Sequence, residues 1–257
     1  MAEGAWIFLS HSHQDFEKIR SLRDQLEKRQ HHPLVFFLKC LDDDSEIDDL
    51  IRREIAARSW FILCDSANSR TSKWVKRERE IIQSLPDHSF VTVDLDAEIE
   101  TQLESLAALL KRASVFPSYV RSDQARVAPI LEALRSADFG VFSDLDIPGG
   151  SDFVREIEAA LRHAANNGAI LVFLSRSSLS SQWQRHEIAL ALRLADTATQ
   201  PANVVPVFLD PPASLIDLLP DFGQRLLEQQ GFDFSNDQIP RNIERLIGWL
   251  RGFPWPS

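Results

Sequence analysis

Residues 72–80, SKWVKRERE, and residues 181–189, SQWQRHEIA, write one phrase twice: a Ser, a Trp two residues on, and a Glu six residues on. Each follows an apolar run that ends in a hydroxyl-rich loop, WFILCDSANSRT (60–71) and AILVFLSRSSLS (169–180). The match extends outward. Counted from Ser66, the residues Ser72, Trp74 and Glu78 fall at steps of six, eight and twelve; Ser181, Trp183 and Glu187 fall at the same steps from Ser175. Upstream, IFLSHSHQD (7–15) parallels VFPSYVRSD (115–123), pairing Phe8, Ser10 and Asp15 with Phe116, Ser118 and Asp123. Between these landmarks LIRREIAAR (50–58) parallels EIEAALRHA (156–164). A period of more than one hundred residues is far above that of a solenoid, so it predicts two domains.

The totals agree with that division. The chain has 257 residues, enough for two domains of ~100–150. Hydrophobic residues at 44% and charged residues at 26% are the balance of an ordinary soluble globular protein. No apolar run approaches the ~20 residues of a membrane span, and the N-terminal segment MAEGAWIFLSHSHQD has neither the basic nor the long apolar region of a secretory signal. Cys40 and Cys64 are too few for a disulfide framework and lack metal-ligand spacing, so a cytoplasmic location is expected. The net charge of −10 argues against nucleic acid as the primary ligand. The one basic cluster, Lys73, Lys76, Arg77 and Arg79, is interleaved with Glu78 and Glu80 and reads as a solvated helix face.

Each half alternates strand and helix patterns. In the first, AWIFLS, PLVFFL, WFILCD and FVTVDLD read as strands. DFEKIRSLRDQLEKRQ, LIRREIAAR, KWVKREREIIQSL and EIETQLESLAALLKRA read as helices, with LDDDSEIDD as an acidic loop and Ser72 as a helix cap. The second half repeats the order with SVFPSY, FGVFSD, AILVFLS and VVPVFLD as strands. Its helices are QARVAPILEALRSA, SDFVREIEAALRHAA, SQWQRHEIALALRLA and PRNIERLIGWLRGF. Apolar strands separated by amphipathic helices predict an α/β class of two doubly wound parallel sheets, with ligands at the carboxyl ends of the strands. The loops SHSHQD, LDDDSE and DSANSRTS fall at that edge, as do SYVRSD, DLDIPGGSD and SRSSLSS.

Together, the Phe-x-Ser strand end, the loop after the second strand and the Ser-x-Trp-x-x-x-Glu helix start resemble the Toll/interleukin-1 receptor (TIR) domain. They do so twice, over residues 5–112 and 114–253, with domains at 1–113 and 114–257. FLSHSHQD, EIDDLIRREIAARSWFILCDS and SKWVKRE look like the bacterial branch of the family, and DLDIPGGSDF looks like its BB loop. The resemblance implies a five-stranded flavodoxin-like sheet in each half. It also implies either an adaptor that works by self-association or an enzyme that cleaves the nicotinamide–ribose bond of NAD+, giving ADP-ribose or a cyclised form. The catalytic carboxylates it implies are Glu78 and Glu187. The substrate-binding positions it implies are Ser10, His11, Ser12, Asp43 and Trp74 in the first copy, and Ser118, Tyr119, Asp144 and Trp183 in the second. NAD+ is then a substrate; no cofactor or metal is implied.

The chemistry accommodates a single carboxylate. Cleavage develops oxocarbenium charge on the ribose while nicotinamide leaves neutral, so no strong acid is needed. Trp74 and Glu78, four apart, share a helix face, and the aromatic can wall a pocket or anchor the core. Against this stand plainer readings. Glu78 lies in the charged run KRERE. His11, His13, His31 and His32 fix no ligand set and read as surface or pocket-rim groups. Asp42, Asp43 and Asp44 read as a solvated turn where the usual BB-loop Gly is missing. Gly149 and Gly150 form no dinucleotide fingerprint. Pro117 interrupts a strand and suggests an edge-adapted second copy. The leading expectation is an NAD+-consuming tandem TIR protein of bacterial anti-phage immunity, self-associating through TIR–TIR contacts. A non-catalytic scaffold and a nucleotide-sensing switch are the alternatives.

Overall fold

The computed structural model describes residues 4–36, 44–85, 89–142, 168–197, 203–218, 226 and 231–252. These form two compact units, one of residues 3–113 with 137–140, the other of 1–2, 114–136 and 141–257.

In the first unit, strands β1 (Trp6–Ser10), β2 (His32–Val35), β3 (Trp60–Asp65) and β4 (Ser89–Asp94) make a parallel sheet in the order β2-β1-β3-β4. Helices α1 (Phe16–Lys28), α2 (Asp44–Ala56), α3 (Ala67–Thr71), α4 (Lys73–Ser84) and α5 (Ile99–Ala113) connect and follow the strands. The central strands carry apolar side chains at successive positions rather than alternating ones, because both faces are covered. Trp60, Phe61, Ile62, Leu63 and Cys64 are all buried. On α1, Ile19, Leu22 and Leu26 form the buried stripe of an amphipathic helix. Phe8, Ile51, Ile55, Phe61, Leu63 and Ile82 join β1, β3, α2 and α4 in one core cluster, and Trp74 packs half-buried against it.

The second unit has strands β5 (Ser114–Ser118), β6 (Gly140–Val141), β7 (Ala169–Leu174), β8 (Asn203–Phe208) and β9 (Phe232–Asp233), in the order β6-β5-β7-β8-β9. Its helices are α6 (Gln124–Ser136), α7 (Arg176–Ser180), α8 (Gln182–Thr197) and α9 (Ile239–Leu250). The five-strand order has the flavodoxin pattern, with β5 and β7 adjacent at the point where the chain reverses direction. The four described strands of the first unit follow the same order. Two flavodoxin-like α/β sheets are therefore present in one chain.

Three details depart from the sequence reading. Helix α2 begins at Asp44, so residues 44–49 are helical rather than part of an acidic loop. The hydroxyl-rich loops each contain a short helix, α3 or α7, started by a reciprocal cap. Ser66 Oγ accepts from the Ser69 N–H at 2.9 Å while Ser69 Oγ accepts from the Ser66 N–H at 2.8 Å; Ser175 and Ser178 repeat this at 3.0 and 2.8 Å. Finally, Pro117 does not mark an edge strand, since β5 lies between β6 and β7. The Phe142 N–H donates to the Val115 carbonyl at 2.9 Å, so alternate residues of β5 turn their backbone groups toward β6. The donor that Pro117 lacks points that way too, just where β6 ends, and no bond to β7 is lost.

An ion pair also recurs. Lys18 on α1 pairs with Asp96 after β4, and Arg126 on α6 pairs with Asp210 after β8 at 3.0 Å. Being exposed and screened by water, each contributes little to stability, but the two link the same elements in each unit.

Gly168, just before β7, tests how tightly the second unit is packed. A Cβ there would lie 2.5 Å from the Phe116 ring and 2.7 Å from the Ser114 carbonyl oxygen. Because backbone cannot yield as a flexible side chain does, Gly168→Ala is expected to cost about 1–3 kcal/mol, read as a lower urea midpoint for the second unit. An unchanged midpoint would contradict this packing.

Candidate active site

The site in the first unit is built where β1 ends beside α4. Ser72 caps α4, its hydroxyl accepting from the Val75 N–H at 3.4 Å, and this sets the helix phase. The next turn then carries Glu78 against the end of β1. Ser10 Oγ donates to Glu78 Oε2 at 2.6 Å, both groups buried, with Glu78 only 6% exposed. Burial pushes the Glu78 carboxyl up from its ordinary 4.5 to about 7, against the lowering effect of the Ser10 hydroxyl. On β3, burial and the Glu78 and Asp15 carboxylates push the Cys64 thiol far above its usual range.

The residues after β1 continue the site. His11 is buried; its Nδ1 lies 3.0 Å from the Leu9 carbonyl, and burial holds its pKa down. Ser12 caps the short turn His13–Asp15. Asp15, buried, accepts from Ser66 Oγ at 2.6 Å and from Asn68 Nδ2 at 2.8 Å, which ties the loop after β1 to the start of α3. At the rim, the Arg70 guanidinium, with Arg79 after it, holds Asp65 below the usual carboxylate range; Arg79 Nη2 lies 3.1 Å from its carboxylate.

The second unit reproduces the arrangement. Ser118 Oγ at the end of β5 donates to Glu187 Oε2 on α8 at 2.9 Å, and Glu187 is 5% exposed. Asp123 accepts from Ser175 Oγ as Asp15 does from Ser66. One partner is new: Gln184 Nε2 donates to Ser118 Oγ at 2.6 Å. Tyr119 is half-buried, edge-on to Phe173 with ring centroids 6.1 Å apart.

Two flavodoxin-like units, each with a buried Ser–Glu pair at the carboxyl edge of its sheet, suit a comparison with known families. The TIR domain family matches residues 7–112 and again 115–247. The chain belongs to the TIR domain family. Among solved structures, the TIR domain of the Toll-related receptor TRR-2 from Hydra magnipapillata is 17% identical. That match covers 54% of this chain and 98% of that one, with a TM-score of 0.41. The TIR domains of the activated Roq1 resistosome, which directly recognises the pathogen effector XopQ, are 20% identical. They cover 55% of this chain and 84% of that one, with a TM-score of 0.35. No curated protein matches.

Each TIR copy thus brings together Ser10, His11, Ser12 and Glu78, or Ser118, Tyr119 and Glu187, around its first strand. Trp74 lies on the core cluster, with the Lys73 ammonium 4.6 Å from its ring centre. Asp43, Asp144, the Trp183 side chain and the DLDIPGGSDF segment lie outside the described residues. His11 and His31 are buried rather than on the surface; His13 and His32 are exposed. Among the described residues no group of three or more His, Cys, Asp or Glu is placed to hold a metal, and no helix is long and apolar enough to cross a membrane. Sequence reasoning assigned no role to Gln184, nor to the Asp15–Ser66 and Asp123–Ser175 bonds. The last two were visible only as matched letters of the repeat.

The raised Glu78 carboxyl has a consequence for stability. A carboxyl that binds its proton more tightly when folded supports the fold at low pH, and that support is lost as pH rises from 4.5 through about 7. Glu78→Gln removes the buried charge. The variant is therefore expected to be more stable than its parent at pH 8, by about 3 kcal/mol, and nearly equal to it at pH 4. Urea unfolding at the two pH values checks this; a difference that does not depend on pH would contradict it.

Proposed function

We propose that this tandem TIR protein cleaves the nicotinamide–ribose bond of NAD+, with Glu78 and Glu187 as the candidate catalytic carboxylates. The observation that carries the reading is the buried Ser–Glu pair, built twice at the same sheet edge, Ser10 to Glu78 at 2.6 Å and Ser118 to Glu187 at 2.9 Å. A buried carboxylate that accepts from a serine hydroxyl is costly to the fold and suited to exchange that hydroxyl for one on a ligand.

In this mechanism Glu78, ionised above pH 7, accepts from the ribose hydroxyls in place of Ser10. The C1′–N bond breaks as its electron pair leaves with neutral nicotinamide. The positive charge that develops on the ribose faces the carboxylate in a site where water screens poorly. Water then adds at C1′ and releases a proton to give ADP-ribose; attack by the adenine base instead gives the cyclic product. Ser12 and His11 border the ribose, and Asp43 is a further candidate for substrate binding. Trp74 fixes the helix that carries Glu78. The second copy has Ser118 and Tyr119 at the matching strand end, with Asp144 and Trp183 as further candidates. The setting that fits is bacterial anti-phage signalling in the cytoplasm, with activity promoted by self-association. Two copies in one chain supply part of any TIR–TIR contact at high effective concentration.

Incubation of the full chain with NAD+, with products resolved by chromatography, tests the reading. NAD+ loss is expected to fall away below about pH 7, where Glu78 takes up a proton. Loss of the carboxylate charge in Glu78→Gln is expected to slow turnover by ~10²–10³-fold. Full activity in the Glu78→Gln, Glu187→Gln double variant would end the enzyme reading and leave a scaffold.

Assembly is read separately. Sedimentation velocity is expected to show mass rising with protein concentration, and a strictly monomeric, fully active chain would remove self-association from the mechanism.

A further inference from the structure

We infer that the two copies are unequal: Gln184 is a positioning residue that ties the Ser118–Glu187 pair of the second copy in place, and the first copy carries the turnover. What is turned over rests on the NAD+ reading above; the tie itself does not.

The argument starts from one register position. Val75 stands three residues after Ser72, and Gln184 three after Ser181, so they occupy the same place on α4 and α8. Both are buried, at 2% and 1% exposed. A serine hydroxyl has one proton to donate and two lone pairs to accept with. In the first copy Ser10 donates to Glu78, and hydrocarbon from Val75 offers its oxygen nothing. The hydroxyl can rotate, and a ligand hydroxyl can take its place on the carboxylate.

In the second copy Gln184 Nε2 donates to Ser118 Oγ at 2.6 Å, which aims the Ser118 proton at Glu187. Donor and acceptor bonds through one hydroxyl strengthen each other. Releasing Glu187 to a ligand would leave the Ser118 proton without its acceptor while Gln184 still holds the Ser118 oxygen and restricts its turning, a restraint the first copy does not have.

The rim differs in the same sense. The residue after Glu78 is Arg79, and the last residue of β3 is Asp65; they pair at 3.1 Å and both are half-buried. Their counterparts are Ile188, after Glu187, and Leu174, at the end of β7; both are fully buried in the apolar core of the second unit. At these two positions the first copy is thus charged and half-buried, and the second is apolar and fully buried.

Gln184→Met tests the tie, because it keeps the length and bulk of the side chain and removes only the amide. With glutamate labelled at its carboxyl carbon, NMR titration of the full chain is expected to show Glu187 taking up its proton at a higher pH than in the parent, because the Ser118 hydroxyl is no longer held toward it. A titration that does not move overturns the tie. In the Glu78→Gln background, adding Gln184→Met is expected to raise NAD+ consumption at least ~10-fold over Glu78→Gln alone. No gain overturns the claim that Gln184 holds the second copy idle. A Glu78→Gln variant that keeps most of the parent rate overturns the assignment of turnover to the first copy. If the parent chain consumes no NAD+, the enzyme reading falls, and the carboxyl titration still decides whether Gln184 ties Glu187.

Discussion

The structure turns on a carboxylate taken out of water and held by a serine hydroxyl at the end of a strand. Ser10 and Glu78 are 68 residues apart in sequence, and their contact requires that β1 lie beside β3 and that α4 start at a fixed phase. The cap at Ser72 sets that phase. The α3 turn, closed by Ser66 and Ser69, delivers the chain to Ser72, and Asp15 pins that turn back to the loop after β1. Each of these bonds satisfies a buried polar group that would otherwise be left unpaired. Together they form a closed circuit around the end of β1. The second copy rebuilds the circuit with Ser118, Glu187, Ser175, Ser178 and Asp123.

Much of this was legible in the chain because the repeated letters are the buried polar ones. Ser, Trp and Glu at fixed steps gave the helix start, its cap and the inward carboxylate, and unbroken apolar runs gave the central strands. What was missed has physical reasons. Ser, Asn and Thr favour turns as much as first helical turns, so DSANSRT looked like loop although Ser66 opens a helix there. Asp and Glu at a helix N-terminus are stabilised by its dipole, so the acidic run after residue 43 could be helix as readily as loop. Gln184 was invisible for a different reason. Glutamine on a helix is usually solvated, and only the spatial meeting with Ser118 distinguishes it.

The two copies keep the frame and vary what surrounds the carboxylate. The clasp between the first helix and the end of the fourth strand survives the exchange of Lys18 for Arg126, because either cation reaches an aspartate there. The Ser–Asp bond behind the loop is kept unchanged. By contrast, Val75 becomes Gln184 and the Asp65–Arg79 pair becomes Leu174 and Ile188, all within one helical turn or one strand end of the glutamate. The two copies thus share the Ser–Glu and Ser–Asp bonds and differ in what packs beside the glutamate.

The buried Cys64 gives the first copy an internal reporter. A thiol reacts as its thiolate, and at this position burial and two nearby carboxylates suppress that form. While the first sheet is closed, the sulfur is hidden from oxidants and alkylating reagents alike; when the sheet opens, it meets them as an ordinary cysteine. The only other cysteine in the chain is Cys40, and the second copy has none. Modification at this one sulfur therefore counts the openings of a single domain within a chain whose two halves are otherwise built alike.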